Sequence, residues 1–383
     1  MPYLSARALD GLKHYKYHSS GYTILDVIHT PFWNWFTSLL PMWLAPNVIT
    51  LVGLLGVILS FLIDSWYLLD YQGEAPPWVY LFSALAVIIY VNLDCIDGKQ
   101  ARRTGSSSPL GQLFDHGCDA LSVRLLLDNT HCSMNYPCSW TAASIIMLIM
   151  LPWILAHWEE YHTGLLQYGN GWFGVMEANY ALALVHLSVY VFGIGMWERT
   201  LNDIVPFDLP ISLSVRDLFF AAYVIGGLIQ VLGQLSRVLA FDSSKLDKEE
   251  RGNKELGFAA RVKHLVIIVM VLVLGVWWTS DNEVAHGQCR MASISYGLIY
   301  ALVASNLIVS HMAKEPVPVP YWAYALLFLG AVSRQFKVAD SWTTTGVLML
   351  IALLGYSHYV VNVINEICTH LGLQVFLIHP QKD

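Results

Sequence analysis

Residues 92–120 read NLDCIDGKQARRTGSSSPLGQLFDHGCDA. One apolar run leads into this stretch, another leads out of it, and four aspartates fall between: Asp94, Asp97, Asp115 and Asp119. Asp94 and Asp97 are three positions apart and Asp115 and Asp119 four, so on helices each pair shares one face, about one turn apart. Two antiparallel helices joined by a loop over 103–109 turn those faces toward each other. Four carboxylates meeting in a low dielectric repel strongly. Divalent metal relieves that repulsion, and hard oxygen ligands select Mg²⁺, Mn²⁺ or Ca²⁺. Four carboxylates can hold two ions, the arrangement that clamps attacking and leaving oxygens in phosphoryl transfer. The plainer alternative is a set of salt bridges at a membrane edge.

The rest of the chain supplies that membrane. Of 383 residues, 56% are apolar and 13% charged, where an ordinary soluble domain carries about 25% charged residues. Apolar runs predict ten spans, at 47–69, 78–98, 110–127, 139–157, 178–198, 217–240, 262–279, 291–312, 320–336 and 343–370, several of them long enough to cross about 30 Å of hydrocarbon. The fold class is therefore all-α and polytopic. Ahead of the spans, residues 22–44 carry Trp33, Trp35, Trp43, Pro31 and Pro41, which suits an amphipathic helix lying in the interface. The first residues lack an apolar signal-peptide region, so none is expected. A cytosolic N-terminus puts fifteen of the 21 Lys and Arg residues, Lys16 and Lys382 among them, on the cytosolic side. That bias favours the orientation and opens residues 92–120 toward the cytosol.

The third span is the odd one, because it contains Asp115, His116, Asp119 and Arg124. A charge at the centre of a bilayer helix costs at least about 2.5–3.5 kcal/mol. Such residues persist when they face a protein interior or a water-filled cavity and have partners. Gly98, Ala101 and Gly111 keep the helix surfaces bare for a bulky anionic ligand, and Arg102 offers a forked donor to phosphate. The six cysteines show no metal-site spacing. Cys132 and Cys138 flank a short loop and either pair in an oxidising lumen or stay as thiols.

The full spacing is Asp94-x2-Asp97-Gly98-x2-Ala101-Arg102-x8-Gly111-x3-Asp115-x3-Asp119. It resembles, without departure, the signature of the CDP-alcohol phosphotransferase family. APNVIT (45–50), FDHGCD (114–119) and WEEYHTG (158–164) resemble the eukaryotic choline/ethanolamine phosphotransferase branch, and ten spans fit that branch. The resemblance covers nearly the whole chain, most securely 40–165. It implies transfer of phosphocholine or phosphoethanolamine from CDP-choline or CDP-ethanolamine to diacylglycerol, with CMP leaving (EC 2.7.8 class). Three regions follow: a cytosolic N-terminus and interfacial helix (1–46), a catalytic helical core (47–240), and a basic cytosolic loop with C-terminal spans for lipid access and dimerisation (241–383). A multi-pass protein of the endoplasmic reticulum or Golgi, acting as a homodimer among membrane lipids, is expected. No nucleic-acid partner is.

By the same resemblance, Asp94, Asp97, Asp115 and Asp119 hold two Mg²⁺ or Mn²⁺ ions, with Asp94 placed to bridge. Asn47 and Arg102 contact CDP, and Gly98, Ala101 and Gly111 leave it room. Asn47 also reads as an N-cap of the first span after Pro46. The base is His116 or Asp119. His116 is preferred, since an imidazole titrates near cytosolic pH while the aspartates are committed to metal; a membrane histidine can equally be a packing residue. Trp158, Glu159, Glu160 and Tyr161 end the fourth span, either to hold a quaternary ammonium or only to solvate a helix end. Polar residues in later spans, His186, Asn306, Asn362, Asn365 and Glu366, suit helix–helix hydrogen bonds. The basic run from Lys245 to Lys263 suits a loop against anionic headgroups. Two other readings stay open: a relative using another alcohol such as inositol, and a cation-coupled transporter. An ion pathway gains nothing from an arginine beside the carboxylates, and no paired, interrupted helices mark two matching halves.

Overall fold

A computed structural model describes residues 2–13, 15, 17–167, 169–205, 212–280, 287–337 and 340–378; Lys16 and Lys382 lie outside the described residues. The helices are α1 Ala6–Lys13, α2 Ile24–Leu39, α3 Pro46–Tyr67, α4 Pro77–Thr104, α5 Pro109–Ser133, α6 Trp140–Thr163, α7 Val175–Phe192, α8 Gly195–Glu198, α9 Val215–Ala240, α10 Lys248–Arg251, α11 Phe258–Thr279, α12 Gln288–Ala313, α13 Tyr321–Phe336 and α14 Ser341–Leu371. The ten predicted spans correspond in order to α3–α7, α9 and α11–α14. Eight of these are long and apolar enough to cross a membrane. The other two are α5, too charged, and α13, with 16 residues; both pack into the bundle.

Local signals set the helix ends. Pro46, Pro77 and Pro109 open three helices, where a missing N–H costs nothing and φ is already helical. Asp26 and Asp217 complete capping boxes with Thr23 and Ser214. Helix α12 is the post of the bundle. Its apolar window is 94% buried, and α5, α6, α11 and α14 stand around it. Small residues permit this closeness: a Cβ on Gly275 of α11 would fall 2.4 Å from the Tyr296 ring of α12. Helices α3, α4 and α7 form the other flank, with α5 between the two groups.

Helix α2 lies across α4 and α7. It buries Trp33, whose indole donates to Asn92 at 2.8 Å, and exposes Val27, Ile28, Phe32 and Trp35. This is the interfacial form expected of residues 22–44. The two-residue strands β1 (Ser19–Ser20) and β2 (Leu166–Gln167) pair in parallel and tie the N-terminal segment to the end of α6. A disulfide joins Cys138 to Cys289, not to Cys132. Cys132 is a buried free thiol facing the Arg290 guanidinium at 2.7 Å. Of the later-span polar residues, His186 bonds Ser133 on α5 at 2.6 Å, whereas Glu366 receives the backbone N–H groups of Tyr3 and Leu4, both at 2.8 Å. In the basic run, Arg261 donates to the carbonyls of Val238, Leu256 and Phe241, and Lys254 is buried between Glu250 and His311.

Candidate active site

Helix α4 ends at Gly105, whose φ of 64° is a left-handed C-cap that a side chain would strain. Ser108 then caps α5, accepting from Gly111 N at 3.1 Å. The reversal needs only residues 105–108, so the two helices run antiparallel and their aspartates meet. Carboxylate oxygens of Asp94, Asp115 and Asp119 all lie within 4.8 Å of one another. Asp97, one turn beyond Asp94, accepts from the Thr50 hydroxyl of α3. Asp119 accepts from the Tyr90 hydroxyl of α4. Among the described residues no ion pair reaches any of the four, which sets aside the salt-bridge alternative.

One oxygen of Asp115 is buried without a hydrogen-bond partner. Burying an unpaired carboxylate oxygen is costly, and a cation removes that cost. The donor set is all carboxylate oxygen. It fits a hard divalent ion, and the Asp94–Asp115–Asp119 group can receive one.

Two clefts meet at these carboxylates. The first, about 670 Å³, is lined by Asn47, Asp94, Asp97, Gly98, Ala101, Arg102, Gly111, Asp115 and His116, so every residue expected to contact CDP faces it. A Cβ on Gly98 would lie 3.5 Å from Arg102 Nη1, which shows how close the guanidinium folds to the bare helix surface. Tyr15 and Tyr17 close one wall. The Tyr15 hydroxyl accepts from Gln112 at 2.8 Å, and burial, helped by the Glu160 charge, holds this phenol well above its ordinary pKa. It is a neutral wall.

The second cleft, about 180 Å³, is lined by Asp94, Asp115, His116 and Asp119 at one end. Beyond them come Leu126, Leu127, Ile149, Trp153 and Leu182, together with His157, Asn179, Gln230 and Gln234, so it runs from the carboxylates between α5, α6, α7 and α9 with a mostly apolar lining. Sequence comparison supplies the family. A family model described as CDP-alcohol phosphatidyltransferase matches residues 43–205. Cholinephosphotransferase 1 of Rattus norvegicus is 31% identical over 394 residues, covering 99% of this chain and 92% of the relative.

The chain belongs to the CDP-alcohol phosphatidyltransferase family. Cholinephosphotransferase 1 of Xenopus laevis is 30% identical, with 99% and 92% covered. A Dictyostelium discoideum protein described as uncharacterized CDP-alcohol phosphatidyltransferase class-I family protein 1 is 27% identical, with 100% and 97% covered. Membership makes the chain a membrane-embedded phosphotransferase.

Within this family member, several expected residues serve differently. Asn47 is not the N-cap of α3; Ala45 is. The Asn47 side chain instead donates to the Val375 carbonyl at 2.8 Å. Trp158, Glu159, Glu160 and Tyr161 line neither cleft. Glu159 pairs with Arg237. The Tyr161 hydroxyl bridges Glu315 O and Glu255 N, and Trp158 is 1% exposed. Glu160 faces His157 at 3.3 Å and His311 at 3.6 Å. The His157 ring lies 5.2 Å from that of His116. His116 itself is buried, with no partner for Nδ1.

Two supporting residues escaped the sequence reading. Thr50 sits three positions after Asn47 in the APNVIT lead-in, and Tyr90 sits four before Asp94 on the same helix face. The spacing was visible. Nothing in it said that a hydroxyl would turn toward a carboxylate.

Proposed function

We propose that the chain transfers phosphocholine or phosphoethanolamine from CDP-choline or CDP-ethanolamine to diacylglycerol, releasing CMP. The observation that carries this reading is the sharing of one carboxylate cluster between a polar cleft and an apolar one. A soluble anionic donor and a lipid acceptor need that division. The polar volume of about 670 Å³ falls in the ordinary range for a ligand of this size. The apolar volume of about 180 Å³ suits the glycerol end of a lipid whose chains remain in the bilayer. The rat and frog relatives are named for choline transfer, which supports choline as the first donor to test.

Asp94, Asp97, Asp115 and Asp119 would hold two Mg²⁺ or Mn²⁺ ions. When bound, these neutralise the diphosphate and the charge that develops in transfer. Arg102 orients the diphosphate with its forked donor. Gly98 and Gly111 let the donor approach the helix backbones. The diacylglycerol hydroxyl oxygen forms a bond to the phosphorus that carries the amino alcohol, and the bond from that phosphorus to the CMP oxygen breaks. CMP leaves with the electron pair. His116, which lines both clefts, takes the hydroxyl proton on its imidazole. Lys and Arg asymmetry supports a site facing the cytosol, and the family resemblance supports a membrane of the endoplasmic reticulum or Golgi.

Purified protein with diacylglycerol and Mg²⁺ is given CDP-choline or CDP-ethanolamine, and lipid product is counted. Product from at least one donor, abolished by chelator, is expected. Replacement His116→Ala is expected to lower turnover by about 10²–10⁴-fold while a Mg²⁺-dependent rise in melting temperature persists. Turnover near wild type in that variant would transfer the base role to Asp119. No product from either donor would redirect the search to another CDP-alcohol.

A further inference from the structure

The mouth of the polar cleft is partly covered by a segment that the catalytic motif does not include. Helix α14 stops at Gly372, whose φ is 66°, and the Leu373 N–H turns back to Cys368 O at 3.0 Å. The chain then crosses the cleft, with Leu373, Gln374, Val375 and Leu377 among its lining residues. Two contacts hold it on the far side. The Val375 carbonyl accepts from Asn47 Nδ2 at 2.8 Å, and the Phe376 ring meets Phe114 edge-on at 5.8 Å.

Both anchor points belong to the site. Asn47 stands at the start of α3, with its Oδ1 only 3.6 Å from where a Cβ of Gly111 would lie. Phe114 immediately precedes Asp115. The root of the segment is fixed as well: Glu366 holds the N–H groups of Tyr3 and Leu4 just before α1, and His370 meets Asp10 at 3.2 Å. The segment is therefore tethered firmly at Gly372 and lightly at its far end. One neutral hydrogen bond, one half-exposed ring pair and the partly buried Leu373 and Val375 packed against the core are few enough to open for nucleotide exchange.

We propose that residues 373–377 form a strap that closes over the nucleotide end of the bound donor, with Asn47 and Phe114 as its latch. This rests on the reading of the polar cleft as a CDP site. It extends that site to the far end of the chain, more than 250 residues from the motif. With a nucleotide bound, the strap excludes water from its outer side and slows its departure. Donor affinity, not the chemical step, is what it governs.

The test uses full-length protein, the variant Phe376→Ala and a chain ending at Gly372, each with Mg²⁺. CMP binding is measured by calorimetry, and transfer kinetics are measured where turnover is present. Shortening is expected to weaken CMP binding about tenfold, because the bound nucleotide loses the wall formed by Leu373, Gln374, Val375 and Leu377. For Phe376→Ala about threefold is expected. The donor KM should rise in parallel, while the diacylglycerol KM and kcat change less than threefold. If both variants bind CMP as tightly as wild type, or more tightly, the strap is overturned. Should the shortened chain not fold, Phe376→Ala decides the matter alone. A wild-type protein that binds no CMP would bring down the nucleotide reading itself, a result separate from failure of the strap.

Discussion

Helix α5 buries two charged groups, one on each half, and treats them oppositely. Toward its C-terminal end, Arg124 and Asp128 form an ion pair at 3.1 Å. Ser293 of α12 joins both, accepting from Arg124 at 2.7 Å and donating to Asp128, and the guanidinium rests on the Tyr296 ring. Toward the N-terminal end, Asp115 and Asp119 meet Asp94, and among the described residues no ion pair reaches them. The same helix, in the same apolar surroundings, thus holds one carboxylate paired with a protein cation and a carboxylate group that is not, although Arg124 Nη1 is itself buried without a hydrogen-bond partner. Paired charge is architecture. Unpaired like charge, in a cleft, marks a place for something from outside.

The comparison breaks first at Asp115. Replacement Asp115→Asn is expected to lower lipid transfer by about 10³-fold or more, since it removes an electrostatic element aimed at the developing charge. Melting temperature without metal is expected to hold or rise, because one repelling charge is gone. A variant that keeps its activity, or that unfolds, would place Asp115 with the architecture instead.

The opposite outcome is expected at the other half. Replacement Arg124→Met strands a buried Asp128 and should cost about 3–5 kcal/mol of stability, read as a lowered melting temperature. The double replacement Arg124→Met with Asp128→Leu is expected to recover most of it, as apolar substitution of a buried pair commonly does. Activity per folded molecule should stay within a few-fold in the double variant. A large loss there, with the fold intact, would mean that the pair takes part in the reaction.

Metal sharpens the contrast. Raising Mg²⁺ to about a hundred times its dissociation constant stabilises the folded state by about 2.7 kcal/mol. Wild type and the double variant at 124 and 128 should show that rise, and Asp115→Asn should lose most of it. A shift of equal size in all three proteins would indicate ion binding elsewhere.

These halves of α5 also show what was legible in the sequence. Apolar runs are local, so ten spans could be placed, and the helices begin and end within several residues of them. Helix α4 runs to Thr104 instead of 98, and α6 to Thr163 instead of 157, because polar residues continue a helix once it leaves the hydrocarbon. The carboxylates and the residues around the polar cleft were legible because their spacing is short and a family signature fixes it. Partners distant in sequence were not. The disulfide spans 151 residues, whereas the spacing offers only Cys132 and Cys138, close in sequence, as a pair or as thiols. Glu159 meets Arg237 of α9, Glu366 meets the segment just before α1, and Asn47 meets the C-terminal segment. In each case the packing of helices, which no local spacing encodes, chose the partner. Trp158, Glu159, Glu160 and Tyr161, expected either to hold a quaternary ammonium or to solvate a helix end, are buried among partners of this kind.

The smallest expected effect bears on how the unpaired half is kept in order. The Tyr90 hydroxyl donates to Asp119 from within the same pair of helices, as Ser293 does for Asp128. If that bond serves only packing, Tyr90→Phe should cost a little stability and leave the Mg²⁺ dependence unchanged. If it fixes the rotamer in which Asp119 presents an oxygen to metal, the loss should appear as affinity. Hydrogen bonds that orient metal-ligating groups are worth about 10–100-fold in metal binding. The Mg²⁺ concentration for half-maximal activity is therefore expected to rise by about tenfold in Tyr90→Phe, with turnover at saturating Mg²⁺ within a few-fold of wild type. A fall in saturated turnover with unchanged Mg²⁺ dependence would instead mean that Tyr90 acts on the reacting groups, and the site would then extend one helical turn deeper than its carboxylates.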